Sequence, residues 1–356
     1  MPTANNLSNI AKINFLIYGK PRTKKTWWAI KFAEAGFNII HLCMDVGGYN
    51  IVKQISEEAR NRIYIVDISD TLDRPVAPLF FNKLLKEEYD EQRVLKPSKF
   101  YWNENNKTII PTIGGLKADN SYVEIDIRKI TKNEIIIIDS WTAFIWSLQW
   151  YYAIKTNFDF SVPPPEWEIR SEFGWTRQFA TWAYKQLQSL PCHLIIIAHE
   201  DRYEKRKLVK DERTGKNKEE IEWVKTQIKS TSGNHATQMP ADFEMFRFVL
   251  FANEFHIDAR PSTEFDCGSR IIAPALWKWD NLSPTVVCKE LNISPPSDIN
   301  PPTAFKFYNR GDEHPQFGGL QKSIAQTAAA KANLLEASKV KPVLQFGKPK
   351  PKGAVQ

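Results

Sequence analysis

The sequence predicts an α/β fold, with a mostly parallel central sheet and helices on both faces. Two observations carry this. Short apolar runs recur at residues 13–18 (INFLIY), 38–44 (NIIHLCM), 63–68, 135–138 (four Ile) and 194–198 (LIIIA). They are apolar at consecutive positions rather than alternate ones, as in central strands covered on both sides. The first two runs are also separated by a helix-like segment, and strand–helix–strand at this spacing is the unit of a doubly wound sheet.

The elements follow in order. The run 13–18 leads through residues 19–26 (GKPRTKKT) into a predicted helix over 27–35, which Gly36 closes as a C′ residue. The second strand ends at Asp45. A loop from residue 70 precedes a predicted helix over 79–91. Residues 97–127 are rich in Asn, Gly and Pro with β runs at 107–110 and 122–127, and read as an inserted hairpin-like excursion. The four-Ile strand ends at Asp139, a helix over 175–190 returns the chain, and the LIIIA strand ends at His199. Residues 201–229 hold ten Lys/Arg and seven Asp/Glu, with apolar-charged runs flanking Arg213-Thr-Gly-Lys-Asn217, as in a protruding hairpin. Residues 270–279 and 284–289 read as closing strands. The chain thus divides into a body over 1–300 and a Pro/Ala/Lys-rich tail over 301–356, expected to be partly disordered.

The 356 residues are 42% hydrophobic, with 12 Trp, 21 Phe and 11 Tyr, enough apolar material for a large core. No run approaches the roughly 18 apolar residues of a membrane span, and the polar start lacks a secretory h-region. Four scattered Cys without a C-x-x-C pair point away from disulfide and zinc scaffolds and toward a reducing, cytoplasmic compartment. His41, His193 and His199 lie on or beside predicted strands without metal-ligand spacing, where a satisfied core histidine is the commoner case. The net charge is +7, but seven Lys and one Glu in 321–356 supply +6 of it. The basic character belongs to the tail.

Residues 19–26 match G-x-x-x-x-G-K-T at every defined position except the second glycine, where Lys24 stands. Such a loop turns successive backbone N–H groups toward phosphates. Gly19 permits the sharp exit from the strand, and Lys20, Pro21, Arg22, Thr23 and Lys24 line the turn. Lys25 neutralises β/γ oxygens, Thr26 offers a hydroxyl to Mg²⁺, and Trp27 opens the helix. Asp139 is the second expected Mg²⁺ ligand, at the tip of a strand expected to neighbour the loop strand. His199, at the end of the next central strand, faces the same crevice and would report the nucleotide state.

Together YGKPRTKKT (18–26), KFAEAGFNIIHLCMDVG (31–47), IIIIDSWTAF (135–144), EFGWTRQF (172–179) and LIIIAHEDRYEKR (194–206) resemble the RecA-like P-loop ATPase core, in particular phage-encoded ATPases of the single-strand-annealing and recombination type. The resemblance covers about residues 13–255. It implies ATP and Mg²⁺ as cofactors, action on single-stranded DNA in phage recombination or replication, assembly into rings or filaments, phage replication or recombination proteins as partners, and residence in the host cytoplasm. Where RecA itself carries a water-activating acid two positions after an Asp, this chain has Asp45 followed by Gly47. Asp45 is therefore the candidate base and Glu200 the reserve.

DNA contact is expected from cations that track phosphates: Arg202, Lys205, Arg206, Lys207 and Lys210 on the hairpin 202–229, and Lys348, Lys350 and Lys352 in the tail. The Trp141, Trp146 and Trp150 cluster reads as core or subunit interface rather than base-stacking platform. Two further readings share the core: a nucleotide-binding switch without turnover, and a DNA-packaging or helicase-type motor.

Overall fold

The computed structural model describes residues 12–45, 48–86, 88–89, 95–96, 99–111, 121–156, 166–210, 217–229, 239–252, 254–259, 277–278, 282–296 and 301–308. It is a mixed α/β protein built on a mostly parallel sheet. The five predicted runs form β1 (Asn14–Gly19), β2 (Asn38–Cys43), β3 (Ile63–Asp67), β9 (Glu134–Asp139) and the first part of β10 (His193–Lys210). β12 (Glu244–Phe251) joins them. The path across the sheet is β12-β1-β10-β9-β2-β3, with every neighbour parallel. Antiparallel β13 (Glu254–Asp258) and β14 (Trp277–Lys278) extend the β12 edge. One expectation is corrected here. β9 does not neighbour β1, because β10 lies between them.

Alternate residues of each strand feed two separate cores, which explains the unbroken apolar runs. Leu16, Tyr18, Ile136, Ile138, Leu194 and Ile196 pack under α3 (Ala77–Leu85), α4 (Trp141–Thr156) and α5 (Glu166–Ser189). Phe15, Ile17, Ile135, Ile137, Ile195 and Ile197 pack under α1 (Lys25–Ile30), α2 (Glu57–Arg60) and α6 (Pro284–Glu290). Trp28 anchors that second face, edge-on to Phe32 at 5.3 Å and to Phe248 at 5.5 Å.

Several elements depart from the sequence reading. α1 tightens into a 3₁₀ turn at Lys31–Ala33, and Gly36 follows at φ +107°, where a Cβ would lie 2.7 Å from the Pro296 carbonyl oxygen. α3 ends at Leu85 rather than residue 91, because the charged continuation offers no apolar face to bury. Residues 284–290 form a helix, not a strand. Ser283 caps it by accepting from the Val286 N–H, and Pro284 sits at its first turn.

β4 (Glu88–Tyr89) pairs antiparallel with β5 (Leu95–Lys96), and the excursion over 97–127 contributes β6 (Phe100–Asn103), β7 (Thr108–Ile110) and β8 (Tyr122–Ile125) to a four-stranded sheet completed by β15 (Phe305–Tyr308). Ala304 and Phe305 are buried in the core, so the folded body runs past residue 300. Most of the Pro/Ala/Lys-rich tail, from residue 309 on, lies outside the described residues. Among the described residues, no helix is long and apolar enough to cross a membrane.

Candidate functional site at the carboxyl edge of the sheet

The parallel strands bring their carboxyl ends to one edge. Gly19 pairs in register with His199, Ile197 with Asp139, and Asp139 with Cys43. The edge beside β1 is therefore lined by the chain leaving β1, β10, β9 and β2, the place where open α/β sheets bind ligands.

The turn after β1 depends on Gly19. Its φ is +155°, and a Cβ there would lie 2.2 Å from the Phe248 carbonyl oxygen. Arg22 and Lys24 also adopt left-handed backbone, at φ 66° and 61°. Lys24 thus takes the conformation for which the motif normally supplies glycine, at a cost of about 1–2 kcal/mol. Its side chain leaves the loop interior: Nζ lies 4.3 Å from the Phe255 ring centroid and 5.8 Å from that of Trp27. Lys20, Pro21 and Arg22 are exposed, Thr23 is buried, and Thr26 and Trp27 are half-buried.

Lys25 turns into the loop. Its ammonium donates to the Gly19 carbonyl at 2.9 Å, the Lys20 carbonyl at 2.7 Å and Thr23 Oγ1 at 3.4 Å. Burial pushes its pKa down to about 8, against the opposing pull of Asp139, Glu200 and Asp45. The loop therefore encloses a costly buried cation faced by three acids.

Asp139 is the hub. Its Oδ2 accepts from Thr26 Oγ1 at 2.7 Å, so the carboxylate reaches across β10 to the loop. The same oxygen lies 3.3 Å from His41 Nε2. Burial alone would raise the Asp139 pKa. The His41 hydrogen bond and charge, the Thr26 bond and Lys25 outweigh it and hold the carboxyl below its ordinary range. His41 is fully buried on β2, and its Nδ1 has no hydrogen-bond partner among the described residues. Sequence reasoning missed this residue as a site contributor. The signal was a lone polar residue inside NIIHLC, but its meaning depends on β2 lying beside β9.

Asp45 and Glu200 differ. Asp45 Oδ2 lies 3.8 Å from His199 Nε2, and both side chains are partly exposed. Glu200 Oε2 accepts from Arg247 Nε at 3.3 Å, and its side chain is nearly buried. His199 is tied through its backbone as well, donating N–H to Thr142 Oγ1 at 3.0 Å and accepting from the Lys229 N–H at 2.8 Å. His193 fits the expectation of a satisfied core histidine, since its Nδ1 accepts from the Ile13 N–H at 2.9 Å.

The Thr26 and Asp139 oxygens form a suitable donor pair for Mg²⁺. They are 2.7 Å apart, close to the about 2.9 Å separating adjacent oxygens of an octahedron with ~2.0–2.1 Å metal–oxygen bonds. Among the described residues, no group of three or more His, Cys, Asp or Glu forms a metal cage.

No protein-family model matches the chain, and no curated protein matches it.

The charged segment after His199 is a β-hairpin. β10 continues to Lys210 and pairs antiparallel with β11 (Asn217–Ile228), from Glu200 opposite Ile228 to Lys210 opposite Asn217. Arg202 is exposed near its base. The backbones of Lys205, Arg206, Lys207 and Lys210 lie on β10, while their side chains fall outside the described residues, as do Lys348, Lys350 and Lys352 altogether.

Proposed function

We propose that this protein is a RecA-like P-loop protein that binds ATP with Mg²⁺ at the loop 19–26, hydrolyses it, and acts on single-stranded DNA in recombination or replication. The observation that carries the reading is the Thr26–Asp139 bond of 2.7 Å beside a loop closed around Lys25. A hydroxyl and a carboxylate from distant parts of the sequence meet there, next to a buried ammonium. Phosphate binding is what makes that arrangement useful: the ammonium exchanges two carbonyls and a hydroxyl for phosphate oxygens.

In this reading Gly19 to Thr26 wrap the phosphates and Lys25 neutralises the β/γ oxygens. Thr26 and Asp139 hold Mg²⁺, which when bound would screen charge on the transferred phosphoryl group. Asp45 orients the attacking water, because its carboxylate is partly exposed whereas Glu200 is engaged by Arg247. His199 senses the γ-phosphate, and its backbone links to Lys229 convey the change to the β10–β11 hairpin and thence to DNA. Assembly into a ring or filament and work in the cytoplasm of a host cell with other phage proteins complete the reading.

One observation favours a second reading, a nucleotide switch without turnover: Glu200 is already committed to Arg247. Steady-state phosphate release from ATP, with and without single-stranded DNA, decides between them. DNA-stimulated release supports the ATPase. Saturable ATP binding without release supports the switch. Absence of ATP binding defeats both.

A further inference from the structure

Helix α4 has a face that the core does not use. Trp141, Phe144, Ile145 and Leu148 are buried, whereas Trp146 is 57% exposed and Ile154 48% exposed. Half-buried Trp150 lies between them. Spacing of four residues sets the three on one stripe of the helix. Trp146, Trp150 and Ile154 together make a small apolar stripe open to a partner.

Among the described residues, two lysines approach the rings of this helix. Helix α4, WTAFIWSLQWYYAIKT, contains no acidic residue. Lys229 follows β11 and holds Nζ 5.0 Å from the Trp146 ring centroid. Lys155 Nζ lies 5.6 Å from the Tyr151 ring. A second copy docking with the Lys229–Trp146 end of the stripe at a two-fold axis would set lysine against lysine, with no acid from α4 between them. A ligand that presents flat rings and anions together answers both features. Single-stranded nucleic acid is such a ligand.

The stripe is also wired to the candidate nucleotide site. Thr142, one turn before Trp146, accepts from the His199 N–H at 3.0 Å. The Lys229 N–H donates to the His199 carbonyl at 2.8 Å. The residue that carries the cation and the helix that carries the indole thus grip the same histidine, opposite Gly19 in register.

We propose that Trp146 and Lys229 form a binding site for single-stranded nucleic acid, with a base stacked on the indole and the adjoining phosphate on the ammonium. This rests on the single-strand reading above and locates its contact on α4, not on the hairpin tip or the tail. A strand held there braces Thr142 and Lys229 against His199, so its occupancy and that of the nucleotide site are coupled.

The test is fluorescence anisotropy of labelled oligo(dT) titrated with the full chain, its Trp146→Ala, Trp146→Phe and Lys229→Gln variants, over a range of salt. Trp146→Ala weakens binding about 5- to 150-fold, the range for loss of one base–aromatic stack, with an unchanged salt slope, and Trp146→Phe retains most of the affinity. Lys229→Gln lowers the slope of log K against log salt by about 0.7, the loss of one single-strand phosphate contact. Light scattering of the same samples accompanies the titration. Equal affinity of wild type, Trp146→Ala and Lys229→Gln for oligo(dT) overturns this site while leaving the single-strand reading standing. Loss of self-association in Trp146→Ala at unchanged oligo(dT) affinity makes the stripe a subunit interface and likewise overturns it. A wild-type chain that does not bind oligo(dT) removes the single-strand reading itself and this site with it.

Discussion

Replacing Lys25 with Met should remove the response to ATP while costing the ligand-free protein far less than the loss of its hydrogen bonds alone would. The ammonium is buried, and its pKa falls from 10.5 to about 8. At about 1.36 kcal/mol per pKa unit, keeping that lysine charged in the loop costs roughly 3 kcal/mol relative to water. Methionine fills similar space without a charge. The Gly19 and Lys20 carbonyls then lose a charge-assisted donor, at about 1.5–3 kcal/mol per bond or about 3–6 kcal/mol together. The net expectation at pH 7 is a ligand-free stability between roughly unchanged and about 3 kcal/mol lower. The pH dependence has a definite sign. The unfolded lysine binds more protons than the folded one between the two pKa values, so wild-type stability rises with pH from about 8 to 10.5 and the variant loses ground to it across that window. ATP and Mg²⁺ at about 100 times Kd should add ~2.7 kcal/mol to the wild type and nothing to the variant. Urea denaturation midpoints, with and without ATP and at pH 7 and 10, measure all of this. A variant still stabilised by ATP, or one whose stability does not fall relative to wild type between about pH 8 and 10, would show that the Lys25 ammonium is neither a phosphate contact nor a buried charge.

Substitutions at four other positions probe the rest of the site and the fold. Asp139→Asn should leave nucleotide binding in EDTA within about threefold of wild type but abolish its enhancement by Mg²⁺, because the amide keeps a Thr26 acceptor and loses the anionic metal ligand; calorimetric titration in both buffers checks this. His41→Phe should weaken Mg²⁺-dependent ATP affinity about 10- to 100-fold, the usual cost of losing a group that orients a metal ligand, and His41→Asn should recover part of it by restoring a donor toward Asp139; equal behaviour of the two variants would count against the orienting role. Lys24→Gly relieves a left-handed residue at a cost of its ring contacts with Phe255, so stability should change by no more than about 1 kcal/mol and phosphate release should be preserved or raised. Burial, with Lys12 nearby, pushes His193 down to about 4. The unfolded state therefore binds the extra proton between about 4 and 6.5, and up to about 3 kcal/mol of stability is lost as pH falls through that window. His193→Gln should flatten that acid limb of the thermal-stability profile.

The parallel core was legible because strands covered on both faces are apolar at every position, and Ile135 to Ile138 divide alternately between the two cores. Gly19 was legible too, since a strand running into a glycine-led basic loop marks a sharp exit, and the Phe248 carbonyl supplies the reason. Strand order was not. Nothing local to β1 or β9 records that β10 inserts between them, and only that order explains why Asp139 must reach across to Thr26. His41 was hidden for the same reason, as its neighbour Asp139 lies 98 residues away. The direction of the Lys24 side chain depended on Phe255, from a strand the sequence barely marks. The helix over 284–290 was legible and misread: the Ser283-Pro284 pair is a start signal, and it outweighs the β-branched residues that follow. The Trp cluster divided in a way no periodicity gives away, with Trp141 fully buried and Trp146 more than half exposed on one helix.

The claim on which the rest depends is that the loop 19–26 holds a triphosphate with a metal shared by Thr26 and Asp139. Calorimetric titration of ATP into the full chain, with Mg²⁺ and then with EDTA, tests it most directly. Saturable binding of one ATP per chain, at least about tenfold tighter with Mg²⁺, is expected. Failure to saturate at millimolar ATP, or an affinity indifferent to Mg²⁺, would contradict it.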